Sequence, residues 1–320
     1  MMCGQIFHDT MRGGTLKQLI LILLLANMAV AQTNTAEAKR QLLWQKLETS
    51  ISDVDRSLDG VMGVAILDLT DHHQYFLHAD EVFPTASSIK IAVLAELYRQ
   101  AQAGKLKLTD IYTVQASDLV QDSDIMNGLT PGVTKVTLRD VATMMIAVSD
   151  NAATNVLIDR VGMENVNAML DSLGLTRMRL RRKMMDLKAA SEGRENVATP
   201  HEFVTLLSDL YEGKVLNKEM TDDFFKMLST HKDSWIPRDL PEGLKSADKP
   251  GALEGVRNDS GVVFVQNRPY VISVMTSYLR RERDGEEAIS KISLDAYRMF
   301  DRLGHASEYG RVVSASNGSN

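Results

Sequence analysis

Strand patterns occur at both ends of this 320-residue chain, and helical patterns fill its middle. Unpaired strands would leave open backbone groups, so the two ends must meet in one sheet with the helical middle set against it. That predicts an α+β fold in a single intertwined domain. Near the start, residues 36–58 have the composition of an amphipathic helix. Met62–Leu69 and Gln74–His78 then flank Thr70-Asp71-His72-His73 as a hairpin. Near the end, strands are expected over Leu244–Leu253, Gly261–Val265 and Tyr270–Thr276, closed by a helix over Gly285–Asp301. Between them lie helices over Ser88–Gln102, Thr137–Ala147, Ala152–Arg160, Val166–Leu173, Pro200–Tyr211 and Asn217–Thr230. The first is apolar nearly all round, which predicts burial. Residues 177–200 lack periodicity and read as a long loop, of the kind that is functional or disordered. Residues 306–320 form a polar, flexible tail.

The amino terminus reads as an export signal. Arg12 and Lys17 precede the apolar run Leu19–Ala26, and Ala29-Val30-Ala31 has the small-x-small pattern of a signal-peptidase site. Leu19–Ala31 is shorter than the roughly 20 residues of a spanning helix, so cleavage after Ala31 is expected and a stable membrane anchor is not. Loss of Arg12, Lys17 and Asp9 leaves 34 basic and 41 acidic residues, a charge of −7. That balance argues against a nucleic-acid or anionic-membrane binder. The single cysteine, Cys3, lies in the removed segment, so the exported chain has no disulfide and no cysteine-ligated metal. Its 289 residues must be stabilised by their core, outside the cytoplasm, in the periplasm or beyond.

Three short segments carry chemistry. Ser87 stands where the chain enters the buried helix, and Lys90 follows one turn later on the same face. A lysine among Ile89, Ile91, Ala92 and Val93 is desolvated, which disfavours its ammonium form and suits it to take a proton from Ser87. The same residues also fit an N-cap serine beside a snorkelling lysine. Ser149-Asp150-Asn151 joins two helices, where such residues are preferred caps. Lys249-Pro250-Gly251 lies in a strand-like run and also reads as a turn.

In that order, Ser-x-x-Lys, Ser-Asp-Asn and Lys-x-Gly resemble a class A β-lactamase, a penicillin-recognising serine hydrolase. The resemblance runs from about residue 40 to 305. It implies an antiparallel sheet from both chain ends flanked by helices (about 40–86 and 231–305). An all-helical lobe, about 87–230, would close the active site against it. It further implies that Ser87 attacks the lactam carbonyl to form an acyl-enzyme, with Lys90 as base or proton relay. Ser149 would pass a proton to the lactam nitrogen, and Lys249 would hold Ser149 and attract the substrate carboxylate. Asn151 would bond Lys90 or the substrate amide. The N–H groups of Ser87 and of Ala252, beside Gly251, would form the oxyanion hole. No cofactor is implied, and no H-x-H-x-D or H-E-x-x-H spacing suggests a metal. The substrate would be a β-lactam or a peptidoglycan stem-peptide-like molecule, acted on by a monomer. β-Lactam hydrolysis, and with it antibiotic resistance, competes with two alternatives: a D,D-peptidase, and a binding domain that acylates once.

Two departures from the family pattern stand out. Pro250 has neither hydroxyl nor N–H where Thr or Ser is expected, so one carboxylate donor is missing. Proline belongs on an edge strand. Arg257 would compensate as a bidentate clamp, or else pair with Asp259 or Glu254. The loop Arg181–Asn196 lacks the family's Glu-x-x-Leu-Asn, whose carboxylate activates the water that releases the acyl group. Counting back from Thr199-Pro200 places Lys183 near that glutamate's position. Asp186, Glu192 and Glu195 are the available carboxylates. Asp186 is the first choice, with Met184 and Met185 to desolvate it. Its alternative is a salt bridge to Arg182 or Lys183. Efficient acylation with slow release is therefore expected.

Overall fold

The computed structural model describes residues 37–307 and 309–312. The expected export signal and most of the expected tail lie outside the described residues. The described residues begin with helix α1 (37–57), followed by strands β1 (Val61–Asp68), β2 (Gln74–Leu77) and β3 (Phe83–Pro84). A 3-10 turn over Ala86–Ile89 leads into α2 (Lys90–Gln102). Next come β4 (Ile111–Thr113), β5 (Lys135–Thr137), α3 (Leu138–Ala147), α4 (Asn151–Val161) and α5 (Met163–Ser172). The loop region holds α6 (Leu187–Ser191) and β6 (Val197–Ala198), and α7 (Pro200–Tyr211) and α8 (Lys218–Leu228) follow. Strands β7 (Ser246–Leu253), β8 (Val256–Val263) and β9 (Tyr270–Ser277) and helix α9 (Glu282–Gly304) complete the chain.

The two ends do meet. The main sheet has the order β2-β1-β9-β8-β7 and is antiparallel throughout, with β1 paired to β9 from Val61↔Ser277 to Asp68↔Tyr270. Both faces of β1 and β9 are buried, and the period of two divides these strands between two cores. Ala65 and Leu67 of β1, with Val271 and Met275 of β9, join the core built around α2. Met62, Val64 and Ile66, with Ile272 and Val274, face α1 and α9 on the other side. Helix α1 supplies Trp44, Leu47 and Ile51 to that second core, a spacing that places them on one helical face. Helix α2 is buried at every position from Lys90 to Tyr98, as its apolar composition predicts. Helix α7, expected in the helical lobe, lies across β1, β8 and β9.

Strand β8 is longer at its start than expected. Val256–Ser260 was not legible as strand because Asn258, Asp259 and Ser260 are polar, yet all three are buried. Each has a specific partner: Asp259 Oδ2 accepts from the Trp235 and Ile236 N–H groups at 3.0 and 2.9 Å. Asn258 donates to the Pro84 carbonyl at 2.7 Å, and Ser260 bonds Ser273 at 2.8 Å. Buried polar side chains with such partners do not weaken a strand, but they hide it from hydrophobic patterning. Strand β7 starts at Ser246 rather than Leu244 and is the edge strand, a position that tolerates Pro250.

Candidate active site

Ser87, Lys90, Ser149, Asn151 and Lys249 come from three separate parts of the chain, and the fold gathers them beside edge strand β7. Ser87 is half-buried in the 3-10 turn that enters α2. It is not a helix cap: the position before the turn is Thr85, and the Ser87 hydroxyl has no hydrogen-bond partner among the described residues. Ala86 precedes it with φ of 48°, and Ser149 has φ of 58°. Such left-handed non-glycine residues cost about 1–3 kcal/mol each and concentrate at functional sites. The turn packs directly on β7. A Cβ at Gly251 would lie 2.5 Å from the Thr85 carbonyl oxygen and 2.9 Å from Ser88 Oγ, so only glycine fits there. Ser88 Oγ also donates to the Lys249 carbonyl at 3.0 Å, tying the turn to the strand.

Lys90 does not snorkel; its side chain is fully buried. Its Nζ donates to Ser149 O at 2.6 Å, Ser149 Oγ at 2.9 Å and Asn151 Oδ1 at 3.1 Å. Lys249, 1% exposed, donates from Nζ to the same Ser149 Oγ at 3.1 Å and to Pro250 O at 3.0 Å. One hydroxyl thus links two buried amines. Burial, and then the charge of Lys249, pushes Lys90 well below the ordinary lysine value, with Asp150 opposing. Burial and then Lys232 bring Lys249 down to about 7, with Asp259 and Asp248 opposing. Without its third proton the Lys90 amine has two N–H groups and a lone pair, which is what a proton acceptor needs.

Asp150 holds this arrangement. Its Oδ1 accepts from Ala153 N at 2.9 Å and caps α4, while Oδ2 accepts from Ile125 N at 3.0 Å and Met126 N at 2.9 Å. The capping reading of Ser-Asp-Asn is therefore correct for Asp150, while Ser149 and Asn151 turn to the lysines.

Comparison with known proteins decides the family. A family model described as the beta-lactamase enzyme family matches residues 46–300. The chain belongs to that family. Beta-lactamase SME-1 of Serratia marcescens is 28% identical over 262 residues, which is 78% of this chain and 88% of that protein. A beta-lactamase from Sphaerobacter thermophilus superposes with a TM-score of 0.73 and 32% identity, covering 80% of this chain and 97% of that one. PBP-A superposes with a TM-score of 0.74 and 25% identity, covering 81% and 97%. The chain is a class A-like serine hydrolase of the β-lactamase fold.

The loop of this β-lactamase-family chain departs from expectation at several residues. Asp186 is exposed, and the two methionines do not desolvate it. Its Oδ1 accepts from Ala189 N at 2.9 Å and caps α6, and it does not pair with Arg182 or Lys183. Arg182 instead pairs with Glu195 at 2.9 Å, Lys183 with Asp159 at 2.6 Å, and Glu192 with Arg194 at 2.5 Å. All three candidate carboxylates are thus committed. Met184 is the inward residue, 7% exposed. Its N–H donates to Asn155 Oδ1 at 2.8 Å, and its carbonyl accepts from Asn155 Nδ2 at 3.0 Å. Asn155 stands one helical turn after Asn151 on the same face of α4, so Met184 lies about a turn from the Lys90 contact. An Asn at the fourth position after Asn151 was the sequence signal for this clamp, and it was not read.

Arg257 also differs. Its guanidinium bonds Glu282 at 2.7 Å and Glu286 at 3.0 Å on α9, and the carbonyls of Leu253 and Val256, rather than Asp259 or Glu254. A clamp on a substrate carboxylate would have to break these bonds. Among the described residues, no group of three or more His, Cys, Asp or Glu could hold a metal, and no helix is long and apolar enough to cross a membrane.

Proposed function

We propose that Ser87 is acylated by β-lactams and that the acyl-enzyme is released slowly. The observation that carries the reading is Ser149 Oγ held between Lys90 Nζ and Lys249 Nζ at 2.9 and 3.1 Å. Lys90, one turn after Ser87, takes the serine proton as the oxygen attacks the lactam carbonyl. The lactam C–N bond breaks, and Ser149 donates its proton to the departing nitrogen. Ser149 is then reprotonated from the lysines. The N–H groups of Ser87 and Ala252 stabilise the oxyanion, and Lys249 with Gly251 shapes the carboxylate end. Asn151 fixes Lys90 and reads the substrate amide.

Slow release follows from the loop. The residue clamped against α4 is a methionine, and Asp186, Glu192 and Glu195 each have another partner. A positioned base contributes about 10²–10⁴ in rate. PBP-A supports the same reading, since a mutant of it is described as an acyl-enzyme complex with penicillin G. The enzyme acts as an exported monomer, in the periplasm or beyond, on β-lactams or stem-peptide-like acyl donors. Incubation with a chromogenic cephalosporin, followed by intact-protein mass spectrometry, tests it. A burst and a persistent adduct at Ser87 are expected; failure to form any adduct would sink the reading.

A further inference from the structure

Behind Lys249, two buried carboxyl groups leave an oxygen each without a partner. Asp248 Oδ1 accepts from Ser246 Oγ at 2.8 Å, and Asp259 Oδ2 accepts from the Trp235 and Ile236 N–H groups at 3.0 and 2.9 Å. Asp248 Oδ2 and Asp259 Oδ1 have no donor among the described residues. The residues are 2% and 0% exposed. In the register of β7 and β8, Asp248 faces Gly261 and Pro250 faces Asp259, so the two aspartates stand diagonally on one sheet face, within side-chain reach. A Cβ at Gly261 would lie 2.5 Å from the Asp248 Cβ, so the glycine leaves Asp248 room. Two ionised carboxylates there would repel strongly, and each would bury an unsatisfied acceptor. A single proton on Asp259 Oδ1, donated to Asp248 Oδ2, satisfies both atoms at once. Burial and the charge of Asp248 push the Asp259 carboxyl well above the ordinary range, in agreement with that arrangement.

We propose that Asp248 and Asp259 share one proton and act as a single anion that keeps Lys249 cationic beside Ser149. The inference rests on the role given to Lys249 under the proposed function. Lys232 and Lys249 are the cations whose charges couple to the pair, Lys249 from the opposite face of β7. Lys232 Nζ donates to the Leu228 carbonyl at 2.7 Å, and its charge works against the Lys249 ammonium. The shared anion offsets that repulsion. Neither aspartate touches substrate; both are positioning residues.

The pair predicts an unusual non-additivity. In Asp259→Asn the amide takes the place of the protonated acid, and in Asp248→Asn the roles reverse. Each single variant keeps one negative charge, and only the double variant removes it. The infrared spectrum of the wild-type protein at neutral pH should show the carbonyl stretch of a buried, protonated carboxylic acid, lost in each single variant. The alkaline limb of the acylation rate with a penicillin should stay in place in both single variants. In the double variant it should move to lower pH by roughly one unit or more, because Lys249 loses its anion. Absence of the acid band in wild type would overturn the proposal. So would a single variant that moves the limb half as far as the double one. If no penicillin labels the protein, the Ser87 reading fails by itself, and the infrared band still decides the shared proton.

Discussion

In the proposed mechanism Ser87 is the nucleophile, and its environment predicts how substitutions will behave. Ser87→Ala removes a hydroxyl that has no hydrogen-bond partner among the described residues, so unfolding should shift by less than about 1 kcal/mol while labelling by a fluorescent penicillin disappears. Undiminished labelling of that variant would exclude the assignment. Lys249 gives a pH signature. In the proposed mechanism it acts as a cation, and burial brings it down to about 7, so acylation should fall as pH rises through that value. The same shift has a stability consequence of opposite slope. The folded state releases the Lys249 proton at about 7 and the unfolded state holds it to 10.5, so stability rises between these values. Lys249→Met should flatten that rise in urea titrations at several pH values, while acylation slows by orders of magnitude. An unchanged pH slope would mean that Lys249 is not the group responsible. Met184→Glu tests the loop from the other direction. It should speed release of the acyl group about 10²-fold or more without changing acylation, as followed by the decay of the adduct mass.

At the scale of elements, the Arg182–Glu195 pair is the most buried of the ion pairs of the 177–200 loop. Arg182 is 8% exposed and Glu195 more so, so Glu195→Gln should cost about 2–3 kcal/mol, below the range for fully buried pairs. Limited proteolysis should then cut within the loop first; cleavage elsewhere at the wild-type rate would contradict this. How legible these elements were depended on the nature of their contacts. Helix α2 and strands β1 and β9 were readable because their burial is apolar, and apolar spacing reports the period directly. The start of β8 was not, because Asn258, Asp259 and Ser260 are buried through hydrogen bonds to distant partners. Residue types named Ser87, Lys90, Ser149 and Lys249 by their order along the chain. The fates of Asp186 and Arg257 lay beyond such reading, because both depend on which of several nearby partners the fold brings close. Asp186 met an Ala189 N–H, and Arg257 met two glutamates of a helix that begins 25 residues later.

For the whole molecule, the two chain ends build one sheet, and the helical middle delivers Lys90 and Ser149 to its edge. The site is therefore assembled only in the complete fold, from residues as far apart in sequence as the turn of Ser87 and Ser88 and strand residue Lys249, 161 positions from Ser88. Acylation should accordingly be lost together with tertiary structure, in a single step, as denaturant is raised. The central claim is that this assembly acylates readily and lets go slowly. Time-resolved intact-protein mass spectrometry after mixing with a penicillin measures both steps on one sample. The account predicts one equivalent of adduct, formed quickly at Ser87 and still present long after acylation is complete. Rapid loss of penicillin with no adduct accumulating at any time would contradict it.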